Sequence, residues 1–325
     1  MLHARSPRNA IRLVIPAMLM VLLGACQSTE PIRTDVAFET SPWQFGRTTG
    51  TRIETEHYEI FTTLEDRVLI EALPGFVEGC YQHYRSLVPP VRQPAARMQV
   101  YLFATRGQWE AFTRQFTGPR AATFLKVRNG GYSEQGVSVI EYVAHQVTFP
   151  LFAHEGFHQY LHHHVSSEVP AWLNEGLAVE CEGQRWGLKG LKEFDAWYNP
   201  ARRNALSAAL VSDRLHTLPK LLRTHAGRVI DGSSQSVATY YAQLWALVLF
   251  LREGEGGRYR PGFERLLTEL GQPGIEQRIT VDPEVVRAGP GWLGEALFRH
   301  YISDDLPRVE AEYVAFMRAR FLGGR

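Results

Sequence analysis

Residues 151–160 read Leu-Phe-Ala-His-Glu-Gly-Phe-His-Gln-Tyr, and within them His154, Glu155 and His158 form an H-E-x-x-H pattern. On an α-helix, residues four apart lie one turn above each other on one face, so both imidazoles can reach a single divalent ion. Glu155 lies one step round from His154, beside such an ion rather than on it. There its carboxylate can take a proton from metal-bound water. The spacing predicts metal-assisted hydrolysis. With 12 histidines in the chain, the pattern also arises by chance, and a solvated helix face is the plain alternative.

Two histidines, one glutamate and an open position for water make a catalytic zinc set. The segment Pro170-Ala-Trp-Leu-Asn-Glu-Gly-Leu-Ala178 follows the motif after a short turn containing Ser166 and Ser167. A second helix starting at Pro170 packs antiparallel to the first and brings Glu175 towards the histidines. His162 continues the stripe of 154 and 158, but at ~1.5 Å rise per residue it stands ~12 Å along the axis from His154 and cannot share its ion. His163 and His164 point elsewhere and read as solvated residues or neighbours of the ligands. His145 precedes the helix and reads as a loop residue. Asn174, Glu180 and Glu182 are candidates to hold the outer nitrogen of a ligand histidine. For the two glutamates a solvated acidic helix end is the alternative.

These residues need elements to carry them. Tyr58–Thr63 and Met98–Phe103 alternate as strands, and 136–142 reads as a third strand at a sheet edge. Helical spacing covers 66–87, where Pro74 and Gly75 can introduce a kink, and 109–116. The motif helix is expected over 148–164, strongly amphipathic, with Pro150 in its first turn and Thr148 as cap. Beyond it the pattern is almost wholly helical: 171–183, 204–223, 236–253, 259–270, 290–303 and 306–322. This order predicts an α+β fold. A small mixed or antiparallel sheet subdomain (51–147) precedes a mainly helical subdomain (148–325) that carries the zinc site. Cys80 sits on an apolar helix face and reads as core; Cys181 reads as core or as a neighbour of the site.

The chain has 325 residues, 45% of them hydrophobic, with 35 Lys+Arg against 34 Asp+Glu. That balance suits a globular protein with a real core and offers no basic field for nucleic acid. Three cysteines are too few for a disulfide scaffold or a thiolate zinc site. Arg5, Arg8 and Arg12 precede the apolar run 13–23, too short to span a bilayer, and Leu23-Gly24-Ala25-Cys26 closes it. Those four residues resemble the bacterial lipobox. Residues 1–25 then read as a lipoprotein signal peptide and Cys26 as the acylated residue that ties the protein to a membrane. A conventional signal peptide with an incidental Cys26 is the other reading. Removing 1–25 takes away three arginines and leaves 32 cationic against 34 acidic side chains, a net −2. Residues 26–50, mostly polar with Pro31, Pro42, Gly46 and Gly50, read as a flexible tether.

His154-Glu155-x-x-His158 with Trp172-Leu-Asn-Glu-Gly-x-Ala178, sixteen residues between His158 and Glu175, resembles the gluzincin metallopeptidases. The likeness is closest to a bacterial peptidase-MA-like lipoprotein group of that clan. The resemblance implies a zincin-like fold with the active-site helix between the two subdomains. It also implies one zinc ion per chain held by His154, His158 and Glu175, Glu155 as general base, and a peptide or protein substrate. The family's trailing acid matches Glu182. Relatives supply an oxyanion donor from a tyrosine opening a later amphipathic helix, which Tyr241 matches, with Tyr240 as the neighbour that could replace it; an interfacial tyrosine closing a core helix is the alternative. The aminopeptidase branch carries a G-x-M-E-N strand that binds a free amine. Here 130–141 lacks it, which favours internal cleavage. Gln27, rather than Asp after the cysteine, points by the known sorting rule to the outer membrane, on its periplasmic side. Two other readings stand beside this one: a lipid-anchored binding or assembly factor on a gluzincin-like fold, and adventitious metal binding by a histidine-rich helix.

Overall fold

The computed structural model describes residues 35–127, 130–187, 190–224, 233–279, 283–287 and 289–322. Cys26 and the expected signal peptide lie outside the described residues. The strands are β1 (Glu39–Phe45), β2 (Thr48–Glu54), β3 (Tyr58–Thr62), β4 (Met98–Phe103), β5 (Gly131–Glu134) and β6 (Val137–Glu141). They form one mixed sheet in the order β1-β2-β3-β4-β6-β5. The central strands β3, β4 and β6 run parallel, and the hairpins β1-β2 and β5-β6 close the two sides. The parallel pairs need long crossovers. Helix α1 (Arg67–Leu87) links β3 to β4, and α2 (Arg106–Thr117) with the short α3 (Ala121–Phe124) follows β4. Asp66 starts α1 by accepting from the Val68 and Leu69 amides, and Thr105 with Gln108 makes a capping box on α2.

Strand alternation sorts the two faces. Tyr58, Ile60, Met98, Val100 and Leu102 are buried with Phe76, Val77, Cys80, Tyr81 and Tyr84 of α1 in a core that continues through the helices to Phe321. The stretches read as separate subdomains are therefore two sides of one core, and Cys80 and Cys181 both belong to it. The opposite face holds a smaller cluster around Phe103, Trp109, Tyr132 and Val139, against which Trp43 and Phe45 pack. That packing corrects the tether. Residues 39–45 and 48–54 are a hairpin, because Trp43 and Phe45 meet the rings of Phe61, Tyr101 and Phe103.

The mixed α+β class holds, and several details differ from expectation. The strand at 136–142 is not an edge: β6 lies between β4 and β5, and β5 is the edge. A tight turn with φ of 52° at Gln135 and 75° at Gly136 folds β5 back onto β6. The motif helix, α4 (His145–His164), begins three residues earlier than expected and has buried residues all round rather than one apolar stripe. Thr148 accepts from the Val143 amide inside this first turn, and His145 packs against the rings of Phe149, tilted, and Trp186, edge-on, instead of lying in a loop. After α5 (Ala171–Cys181) comes a small hairpin, β7 (Gln184–Gly187) and β8 (Gly190–Phe194). The expected 204–223 helix is two, α6 (Pro200–Val211) and α7 (Leu218–Arg223), and α8 (Ser234–Glu253) follows. Among the described residues no helix is long and apolar enough to cross a membrane.

Candidate metal centre

Polar bonds set α4 on the sheet. The Gln159 amide donates to the carbonyls of Gln99 (2.6 Å) and Gly136 (2.8 Å), and the Ser138 hydroxyl to that of Glu155 (3.3 Å). From α1, the Tyr84 hydroxyl donates to the Ala153 carbonyl at 2.7 Å. A Cβ at residue 156 would stand 2.7 Å from that hydroxyl, so the residue after Glu155 has to be glycine. Gly176 does the same for α5: a Cβ there would come 2.8 Å from Val248 and 3.0 Å from the Leu244 carbonyl of α8. Trp172, fully buried, donates its indole N–H to the Gly294 carbonyl and holds the start of α5.

The two helices bring His154, His158 and Glu175 together. One ligand atom from each lies within 4.8 Å of the others. Glu175 Oε2 is 3.3 Å from His154 Nε2 and 3.5 Å from His158 Nε2. Tetrahedral zinc with bonds of ~2.0–2.1 Å sets its ligand atoms ~3.3–3.4 Å apart, so these separations fit a shared ion. Glu175 Oε2 is buried and has no hydrogen bond among the described residues. The donor set, two imidazole nitrogens and one carboxylate oxygen, suits zinc.

The outer nitrogens are held as well. His154 Nδ1 donates to Glu182 Oε1 at 3.0 Å and His158 Nδ1 to Asn174 Oδ1 at 2.7 Å. In a neutral ring each bond keeps the proton on Nδ1, so Nε2, the nitrogen that faces Glu175, is the one free to bind a metal. Glu182 is fixed in turn by Arg202, at 2.7 and 3.1 Å, and by the Asn199 amide at 2.8 Å. Glu180 does not share this duty. It points the other way along α5 and pairs with Arg252 of α8. Residues two apart on a helix face opposite directions, so only one of Glu180 and Glu182 can meet the ring.

The centre favours positive charge. Burial works against a charged His154 ring, yet Glu175 and Glu182 outweigh it and raise its pKa to about 10. His158 is raised against the same burial, chiefly by Glu175. Burial likewise opposes the charge on Glu175, but the two histidines hold its pKa far below the carboxylate range. Glu155 behaves differently. Burial lifts its pKa and Glu175 adds to the rise, while the histidines and the Ser133 amide of β5 pull it down, and the rise prevails. A buried carboxyl with a raised pKa is suited to accept and return a proton.

Of the two tyrosines, Tyr241 faces the centre. Its ring centroid is 6.1 Å from that of His154, and Glu175 and Glu155, after burial, keep its hydroxyl protonated. Among the described residues its hydroxyl has no hydrogen-bond partner. Tyr240 donates to the Thr224 carbonyl at 3.1 Å and is buried in the helix interface. Arg202 lies over the Tyr241 ring at 5.1 Å, joining it to the Glu182 bracket. Sequence reasoning missed Arg202, Asn199 and the Ser133 amide. Asn199-Pro200 is a visible helix start, but nothing local ties it to His154.

His162, His163 and His164 stay out of the centre. His163 Nε2 donates to the Gly136 carbonyl at 2.9 Å, and His164 is fully buried, stacked on Tyr160, with Nδ1 on the Arg92 carbonyl. Compared with models of known families, with curated proteins and with solved structures, the chain matches none of them.

Proposed function

We propose that the chain is a zinc-dependent metallopeptidase that cleaves peptide bonds internally. We also place it, by its N-terminal sequence, on the periplasmic side of the outer membrane through an acylated Cys26. The observation that carries the activity is the unbonded Glu175 Oε2 at 3.3 and 3.5 Å from two oriented imidazole nitrogens. A zinc ion bound there would supply Lewis acidity, which polarises a carbonyl and lowers the pKa of water to about 7. His154, His158 and Glu175 hold it; Glu182 and Asn174 keep both rings in the ligating tautomer.

Glu155 takes the proton of the attacking water and delivers it to the leaving amine. Burial beside Glu175 gives it the proton affinity both steps need. The Tyr241 hydroxyl, protonated and without another partner among the described residues, donates to the oxyanion. The free side of β5 lies by Glu155 through Ser133 and can pair with an extended peptide, which needs no chain end.

The test is zinc per purified chain together with cleavage of a mixed peptide pool by the protein and by Glu155→Gln. One zinc per chain is expected in both, with cleavage by the unmutated chain alone. Persistent cleavage by the variant would defeat the base assignment. Absent zinc, or absent cleavage with zinc bound, would defeat the enzyme reading and leave a binding factor.

A further inference from the structure

A cavity of about 450 Å³ opens beside the metal centre. His158 and Asn174 of the centre line it, together with Ser133 of the edge strand and the apolar side chains of Leu161 and Val165. Arg92 lines it too, and among the described lining residues there is no aspartate or glutamate. We propose that this cavity is a carboxylate subsite, in which Arg92 holds an anionic group of the substrate next to the scissile bond. The proposal rests on the peptidase reading above and adds the substrate class.

The placement of Arg92 is built rather than incidental. The amides of Val91 and Arg92 donate to the His164 carbonyl at 3.0 and 3.2 Å, and His164 Nδ1 returns a bond to the Arg92 carbonyl at 2.9 Å. The side chain is fixed at one corner only. Nη2 donates to the carbonyls of His162, at 2.8 Å, and Val165, at the C-terminal end of α4 where a cation is favoured. Nε and Nη1 have no partner among the described residues. Arg106, Arg202, Arg223 and Arg252 each meet a glutamate, whereas Arg92 meets no carboxylate among the described residues. A guanidinium held at one nitrogen with the rest of its fork open is made for a planar anion.

A carboxylate can come from an aspartate or glutamate side chain, or from the C-terminal end of a substrate. Both are tested by binding to zinc-loaded Glu155→Gln protein in titration calorimetry. One probe set is acetylated, amidated hexapeptides with a single glutamate moved through every position. Another is the all-glutamine peptide with its terminal carboxylate free, and the reference is that peptide fully blocked. At least one carboxylate peptide should bind about tenfold tighter than the reference, a partly exposed pair being worth no more. Arg92→Gln should erase the advantage and Arg92→Lys should keep part of it, with zinc content equal in all. A winning glutamate position assigns the side chain; a winning free terminus assigns the chain end and makes the enzyme trim from that end. Equal binding of all peptides, no binding, or an advantage that survives Arg92→Gln overturns the subsite. If the unmutated protein still cleaves the pool in those cases, the peptidase reading stands without it. Arg92-dependent binding without any cleavage would reverse that outcome.

Discussion

Helix α4 carries six histidines, and its middle and its last turn use them in opposite ways. In the middle, His154 and His158 turn Nδ1 to an outer acceptor and Nε2 to a shared buried point. In the last turn, His163 and His164 spend a ring nitrogen on a main-chain carbonyl, and the carbonyls of 162, 164 and 165 bind Arg92. The side-chain type is the same. What differs is the partner: carboxylates and a side-chain amide around the first pair, neutral backbone around the second. On the metallopeptidase reading, a histidine serves as a ligand where acids favour a cation, and as a structural strut where they are absent.

The largest effect should separate the two groups of histidines outright. His158→Ala should cost about a hundredfold or more in zinc affinity and reduce hydrolysis to background, while His163→Gln leaves zinc content near one per chain. Equal zinc loss in both would erase the distinction. Next comes Tyr241→Phe, expected to keep zinc and slow turnover about a hundredfold, since a lost oxyanion donor costs ~2.7–4 kcal/mol. Tyr240→Phe should change turnover little, its hydroxyl being committed to Thr224. Full activity in Tyr241→Phe would remove that residue from the mechanism.

A smaller contrast concerns the two glutamates of α5. Glu182→Gln should weaken zinc binding about ten- to a hundredfold, as the loss of a ligand's outer partner does. Glu180→Gln should leave zinc affinity alone and cost a few kcal/mol of stability, because Arg252 then lacks its buried partner. Chemical denaturation with zinc titration distinguishes them, and a reversed pattern would place Glu180 at the metal.

The finest test is titration of the metal-free protein. His154 has a folded pKa of about 10, above the ordinary ~6.5. Its contribution to stability is therefore full below ~6.5 and fades as the pH rises through 10. His164 has the opposite sign. Burial lowers its pKa, so its contribution is full above ~6.5 and is lost as the pH falls from there. Imidazole NMR signals should show His154 still cationic at about pH 8 and His164 still neutral where an ordinary ring has charged. A shared midpoint would mean that the two environments do not differ.

Much of the centre was legible before any coordinates, for a local reason. His154, Glu155 and His158 are related by one helical turn, and Glu175 lies on the next helix, so short-range periodicity and a short connection suffice to bring them near each other. Trp172, Gly176 and Asn174 belong to the same readable stretch. The hairpin at 39–54 was not legible, because its polar, glycine-containing strands gain their stability from Phe61, Tyr101 and Phe103 far along the chain. The edge of the sheet was misplaced for a like reason: periodicity marks 136–142 as a strand and says nothing of which neighbour pairs beyond it.

The amino-acid sequence by itself determined which side chains can meet a metal and the α+β character, since both follow from spacing within and between adjacent elements. Only the tertiary structure decided that Glu182 rather than Glu180 holds His154, that Tyr241 rather than Tyr240 faces the centre, and that Arg92, held at one nitrogen by two carbonyls, lines the cavity without a carboxylate partner among the described residues. Those choices depend on contacts between segments tens of residues apart, and neighbouring candidates with identical chemistry are separated only by the direction in which packing points them.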